Sequence, residues 1–423
     1  MEFLIAIVAG IGFFALVMAS IALHEIGHLL PAKLFGVKVT QYFVGFWKTL
    51  WSTRRGETEY GLKLLPLGGY VRLVGMYPPA VPPTRPGRLA ELAEEARAAE
   101  WADITPVDVA GNRLFYQKAT WQKLVIMFGG PFMNILLAFF IFQGVNLAYG
   151  QAQPQLTVAA VLECVDQAPA PCVRPPAAAA GLQRDDRIVA FNGGEVTTWS
   201  QLTNAIRANG ARPVTLTVER PGQGRIDLPQ VPGAVRELPG LDDPTATVTA
   251  GYIGVQPTYA MVQVGPGQTL ADMWSMTSQS VVALAKFPVS VVTTAVDVVT
   301  GKPRDVNGPI SVVGASVVAG QIATSEQISL GSRIATFFSL LASVNLFVAI
   351  LNLVPLLPFD GGHMAGALWE GLRRWAARWF RRPDPGYVDT AKLLPVAYVV
   401  GGFLVLAGVV LIVADVLSPI RIV

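Results

Sequence analysis

Two of the three histidines in the chain, His24 and His28, enclose the segment Glu25-Ile26-Gly27. On a helix these imidazoles fall four residues apart on one face, close enough to chelate a single Zn2+. The glutamate between them is placed to act as a general base toward water. Two histidines and a water leave a catalytic zinc one protein ligand short. The segment NLVPLLPFDGGH, residues 352–363, offers Asp360, the first charge after a long uncharged run.

The elements that must position these groups are apolar. Uncharged runs cover residues 3–23, 124–162, 334–359 and 393–414, and each reaches the length of about 20 residues that crosses a hydrocarbon core. Four transmembrane helices follow, the second occupying the front of its run. The first is read as a retained helix rather than a cleaved leader, because Glu2 stands where a basic n-region belongs. His24, Glu25 and His28 end the first run, and an ionisable group at membrane depth costs roughly 2.5–3.5 kcal/mol on insertion scales, so such groups are read as functional. Spans one and three run in the same direction, which brings His24, His28 and Asp360 near one leaflet. Basic residues in 38–123 and the cluster Arg373, Arg374, Arg378, Arg381 and Arg382 place the first and third connections in the cytoplasm. Both termini then face out, and the active site lies near the cytoplasmic side of the cell membrane.

Composition agrees with this reading. Of 423 residues only 14% are charged and 52% are apolar, whereas soluble domains carry about 25% charge. Thirty-two basic against 29 acidic residues leave a net charge of +3, too weak and too evenly spread for a nucleic-acid partner.

Between the spans the grammar is that of soluble segments. Two apolar runs flanking Pro66 to Gly69 predict a β-hairpin over 58–74, and the Ala/Glu/Arg-rich stretch 88–101 predicts a solvated helix. Residues 176–220 read as strand, Asn-Gly turn, helix and strand, and resemble a bacterial PDZ domain through Ala180-Gly181-Leu182, Asp186-Arg187-Ile188 and Phe191-Asn192-Gly193. Asp185 stands where such domains usually have glycine. Cys164 and Cys172, the two cysteines, close a short loop that can form a disulfide in an oxidising compartment. The stretch 269–300 is apolar but interrupted by Asp272, Lys286 and Asp297, and is read as an amphipathic helix. The expected fold class is a multi-pass α-helical membrane protein with four transmembrane helices, a cytoplasmic membrane-associated β-hairpin and an extracytoplasmic α+β PDZ domain. The expected divisions are 1–35 (first span), 36–120 (cytoplasmic region with hairpin 58–74), 121–150 (second span), 154–262 (PDZ domain), 263–332 (extracytoplasmic amphipathic linker), 333–373 (third span with the Asp-Gly-Gly motif) and 391–418 (fourth span).

HEIGH in the first span, PLGGYVRL, NRLFYQKATWQKLVIMFGGPFMN, the segment 307–310 and Asp360-Gly361-Gly362 together resemble the site-2 protease family of intramembrane zinc metalloproteases across nearly the whole chain. The subtype resembles bacterial proteases that cleave membrane-anchored anti-sigma factors. In many members the second proline of the Asp-Gly-Gly motif falls two residues after the first, whereas Pro355 and Pro358 are three apart. The resemblance implies zinc held by His24, His28 and Asp360, with Glu25 taking a proton from an activated water and His363 without a metal role. It implies single-span membrane substrates, anti-sigma factors among them, and an upstream site-1-type protease that makes a first, outer cut. Gly68, Gly69 and Tyr70 are candidates for holding an unwound substrate as an added strand. Asn345 and Asn352, on one face of the third helix, are candidates for binding its backbone; Asn134 shares that reading, and interhelical hydrogen bonding is the alternative for all three. The PDZ domain would exclude intact substrates by bulk or capture a new C terminus at residues 177–182.

Two rivals stay open. One is a membrane zincin with a non-intramembrane active site and Glu370 as third ligand. The other is a non-catalytic PDZ membrane scaffold.

Overall fold

The computed structural model describes residues 2–79, 88–102, 104–164, 174–240, 247–302, 304–305, 308–326 and 328–420. Cys172 and Asn307 lie outside the described residues. The chain divides into two units, one of residues 1–149 with 265–423 and one of residues 150–264.

The first unit opens with α1 (Glu2–Leu34), then β1 (Val39–Arg55), β2 (Thr58–Leu73), α2 (Arg88–Trp101), α3 (Pro106–Ala110) and α4 (Thr120–Ala148). The second unit contains β3 (Gln151–Val161), α5 (Pro176–Ala179), β4 (Arg187–Phe191), β5 (Gly194–Glu195), α6 (Trp199–Asn209), β6 (Leu216–Arg220), β7 (Gly224–Asp227), β8 (Ala234–Pro239), β9 (Thr247–Tyr252) and β10 (Val255–Val262). The first unit is completed by α7 (Pro266–Thr300), α8 (Val312–Thr324), α9 (Leu330–Asn352), α10 (Asp360–Trp379) and α11 (Leu394–Leu417).

Among the described residues five helices, α1, α4, α7, α9 and α11, are long and apolar enough to cross a membrane. The expectation counted four of these and read 269–300 as an amphipathic helix; α7, an unbroken helix of 35 residues, meets the same measure of length and composition as the four. Its three charges, Asp272, Lys286 and Asp297, are spread so thinly that apolar stretches remain between them. The protein is therefore a multi-pass membrane protein with β elements. Small residues let α8 lie close on α1: a Cβ on Gly10 would come within 2.9 Å of the Ser316 carbonyl oxygen, and one on Gly320 within 2.7 Å of that of Ala6. Phe13, Val17, Ala315, Ala319 and Leu341 fill the contact among α1, α8 and α9.

The β-hairpin is larger than the expected 58–74 and turns elsewhere. Its turn is at Gly56, with Arg55 paired to Thr58, and Pro66 to Gly69 lie inside β2. Gln41 to Val44 have partners on both sides, Glu59 to Leu62 on one and Arg72 to Gly69 on the other. The two long strands thus fold back into a four-lane sheet with 49–55 and 65–73 as its edges. Pro66 lacks an N–H to give to a ladder, and an edge is where that is tolerated. Nor is α2 solvated all round. Arg97 is buried and its guanidinium donates to both carboxylate oxygens of Asp389 at 2.8 Å, while Glu100 accepts the Met76 backbone N–H.

The stretch 333–373, expected as one element, is two helices. Pro355 and Pro358 cannot continue α9, so the chain loops and restarts at Asp360 as the first residue of α10. The two glycines after it have a steric reason. A Cβ on Gly361 would lie 2.3 Å from the Val354 carbonyl oxygen, and one on Gly362 2.6 Å from the Leu357 nitrogen.

In the second unit the strand order is β10-β3-β4-β6-β7 with β5 on β4, beside a separate β8-β9 pair. Thr198 caps α6 by accepting from the Gln201 N–H, and Gly210 ends it at φ 62°. The core includes Val158, Ile188, Leu202, Leu216 and Val218. Asp185 adopts φ 69°, a left-handed conformation that aspartate tolerates better than most side chains and that glycine would adopt without strain. Asp186 is fully buried and receives Arg220 through two nitrogens at 2.8 Å. Cys164 is disulfide-bonded.

Candidate metal centre

His24 and His28 sit on the last third of α1, followed by Pro31. Proline cannot donate to the carbonyl four residues back, so the Gly27 oxygen is freed from the helix. That oxygen faces α4 at its glycine pair: a Cβ on Gly129 would lie 1.9 Å from it, and a Cβ on Gly27 2.2 Å from the Gly129 oxygen. The two helices cross with backbone against backbone. Beside the crossing, a Cβ on Gly130 would fall 2.2 Å from His28 Nε2 and 2.7 Å from His24 Nε2, so a glycine there keeps the imidazole edges clear.

His28 Nδ1–H donates to the Ile126 carbonyl oxygen of α4 at 2.8 Å. A carbonyl only accepts, so the proton is on Nδ1 and the Nε2 lone pair is left for a metal. The three ligand atoms converge. His24 Nε2 and His28 Nε2 are 3.2 Å apart, and Asp360 Oδ2 is 3.4 Å from the first and 3.3 Å from the second. Tetrahedral ligands at the usual zinc distance of about 2.0–2.1 Å stand about 3.4 Å from one another. The set fits a zinc ion, with two nitrogens, one carboxylate and a fourth direction open. Among the described residues His24, His28 and Asp360 are the group of metal-ligating type that clusters in this way. Asp360 also lies at the start of α10, where the helix dipole favours a carboxylate.

Glu25 faces the hairpin. A Cβ on Gly69 would come within 3.1 Å of the Glu25 Cγ. The edge segment of β2 therefore runs beside the general-base candidate. Gly68 has φ 146° and packs under the Phe46 ring. Tyr70 stacks between Phe43 and Phe46, with ring centroids 5.8 and 6.2 Å away, and its hydroxyl donates to Gln41 Oε1 at 3.3 Å. Asn352 Nδ2 is 3.5 Å from His24 Nε2. Asn345 is a buried interhelical tie, donating to Ser20 Oγ at 3.2 Å and to the Leu341 carbonyl at 2.9 Å, and Asn134 is buried in α4.

Glu370 is engaged elsewhere. It is buried against Lys123 Nζ at 2.8 Å and an Arg374 nitrogen at 3.1 Å, and it accepts the Val388 N–H at 3.1 Å. That occupancy removes it as third ligand. His363, one turn beyond Asp360, lines a small cavity near Glu370. Sequence reasoning gave no role to Gly27, Gly129, Gly130 or the Ile126 carbonyl. The signal available was Gly-Gly-Pro inside an apolar run, where side-chain-free positions let helix backbones meet.

A helical membrane protein that gathers two histidines of a His-Glu-Xaa-Xaa-His turn and a distant aspartate around one point is a membrane metallopeptidase. The family model of peptidase family M50 matches residues 12–379, and the chain belongs to that family, the site-2 protease family. It is similar to zinc metalloprotease Rip1 of Mycobacterium tuberculosis, 34% identical over 98% of both chains, and to Rip1 of Mycolicibacterium smegmatis, 33% identical over the same shares. Zinc metalloprotease RasP of Geobacillus kaustophilus is 26% identical over 86% of this chain and 89% of its own. The protein is a zinc-dependent metalloprotease.

Proposed function

We propose that the protein performs regulated intramembrane proteolysis, cutting transmembrane segments of single-span membrane proteins, anti-sigma factors among them, after an upstream protease has made a first, outer cut. The observation that carries this reading is the place of the ligand set: His24 and His28 belong to a helix that can span the bilayer, and the loop ahead of Asp360 follows directly on another. His24, His28 and Asp360 would hold the zinc. When bound, the ion supplies Lewis-acid polarisation of the peptide carbonyl and makes water acidic enough to lose a proton near neutral pH.

The chain's own groups do the rest. Glu25 takes that proton and returns one to the leaving nitrogen. A helical substrate hides its carbonyls in internal hydrogen bonds, so it must unwind. The edge segment 65–73, with Gly68, Gly69 and Tyr70, receives it as an added strand, since Gly69 brings no side chain between that edge and Glu25. Asn352 stands beside His24 to bind the unwound backbone, and Asn345 keeps α9 locked to α1 through Ser20. We place both termini and a PDZ domain built from the second unit outside the cell, with the metal centre near the cytoplasmic face. The PDZ domain admits only substrates already trimmed.

The test is quantitative mass spectrometry of membrane peptides from cells carrying wild type or Glu25→Gln. The reading expects single-span proteins to accumulate in Glu25→Gln cells as outer-trimmed forms. Equal abundance of every single-span protein in the two strains would refute it.

A further inference from the structure

In the half of the first unit remote from His24 and His28, α1, α8 and α9 leave a groove of about 660 Å3. Ile5, Ala9 and Gly12 form one wall and Phe337 and Phe338 another, and almost all the surface is carbon. One basic group lines it, Arg333 in the first turn of α9. Its Nε–H donates to the Ile328 carbonyl at 3.2 Å and a terminal nitrogen to the Ala323 carbonyl at 3.3 Å. Guanidinium has five N–H donors, so two carbonyl contacts leave donors and the full charge available. Among the described residues no carboxylate pairs with it. The start of α9, capped by Ser329, adds the positive end of a helix dipole at the same place.

Depth favours a lipid headgroup. Asn352, at the far end of α9, lies beside His24, and a helix rising about 1.5 Å per residue puts Arg333 roughly 28 Å away along its axis, nearly the thickness of a hydrocarbon core. Arg333 therefore stands at the polar boundary of the leaflet opposite the metal centre, with an apolar groove leading inward from it.

We infer that this groove is a binding site for an anionic phospholipid, with an acyl chain between α1 and α9 and the phosphate on Arg333. The inference is independent of the proteolytic reading. It is tested with the full-length protein in nanodiscs of equal parts phosphatidylglycerol and phosphatidylcholine, followed by native mass spectrometry of the lipid retained. Wild type is expected to retain phosphatidylglycerol about fivefold over phosphatidylcholine, the factor appropriate to one basic residue at an anionic surface. Arg333→Gln should bring the ratio to about one, and Arg333→Lys should preserve a preference. Gly12→Phe, whose Cβ meets no atom within 4 Å, should fill the groove and lower retention of both lipids. Equal retention of the two lipids by wild type would overturn the inference, and so would an unchanged preference in Arg333→Gln. A photo-crosslinker at Phe338 that captures a peptide segment rather than phosphatidylglycerol would overturn the choice of occupant.

Discussion

The Nδ1–H of His28 on α1 donates to the carbonyl oxygen of Ile126 on α4 at 2.8 Å. The ligand's tautomer is thus set by the backbone of a second helix, and whatever separates α1 from α4 also turns the imidazole. The residues that permit the approach carry no functional group at all.

Gly130→Ala should lower zinc affinity by more than about tenfold, the low end of what disturbing a metal ligand's support costs. Its added Cβ would stand 2.2 Å from His28 Nε2. Competition with a chromophoric chelator measures this, and an unchanged far-ultraviolet circular dichroism spectrum would establish that the helices remain.

Asp360→Ala should purify with little or no zinc, whereas Glu370→Gln should retain it. Metal analysis of the folded, detergent-solubilised protein separates the two. Zinc retained by Asp360→Ala and lost from Glu370→Gln would restore the rival assignment. The same assay on wild type after dialysis against a chelator should show activity falling in step with metal content.

Glu370→Gln should nevertheless destabilise the protein by about 3–5 kcal/mol, because Lys123 and Arg374 would both lose their buried counter-charge. Lys123→Met should cost less, since Glu370 keeps Arg374 at 3.1 Å. The double variant Lys123→Met with Glu370→Gln should recover part of the loss. Chemical denaturation in a single detergent gives all three values, and strictly additive losses would show that the pair is not coupled.

Burial pushes the carboxyl of Asp108 up, but hydrogen bonds from Lys38 and Thr105 outweigh it and hold the group down at about 2, from an ordinary 3.8. A carboxylate depressed in the folded state stabilises at every pH above its unfolded value, and that contribution disappears as pH falls through the folded one. The Lys38–Asp108 tie should therefore be intact at neutral pH and lost between about pH 4 and 2. Asp108→Asn should show a smaller change in stability across that window than wild type; identical acid titrations would contradict this.

Much of the membrane architecture is legible in the sequence because lipid penalises charge so strongly that uncharged runs mark spans. At α7 the rule thins: the helix is long and apolar enough to cross a membrane, yet Asp272, Lys286 and Asp297 break its uncharged run, so the sequence reads as amphipathic. The chemistry of His24, Glu25 and His28 is legible because ligand spacing is local. Asp360 is reachable through topology, but its position at the start of α10 depends on how Pro355 and Pro358 fold the loop, which spacing does not reveal. The hairpin misled because Pro66 and Gly68 look like a turn, whereas Gly56 between Arg55 and Glu57 makes it. The part that glycines play at the α1–α4 crossing is invisible from either helix alone, since an absent side chain acquires meaning only when its neighbour is known.

That crossing also has a mechanical consequence. Where two helices touch backbone to backbone at Gly27 and Gly129, a tilt of one against the other would turn about that contact. Helices adjust to bilayers of different thickness largely by tilting, and groups at their ends travel furthest when they do. Ligands placed beside such a contact would move least, so the spacing of His24 and His28 from α4 is expected to change little with the thickness of the membrane around them.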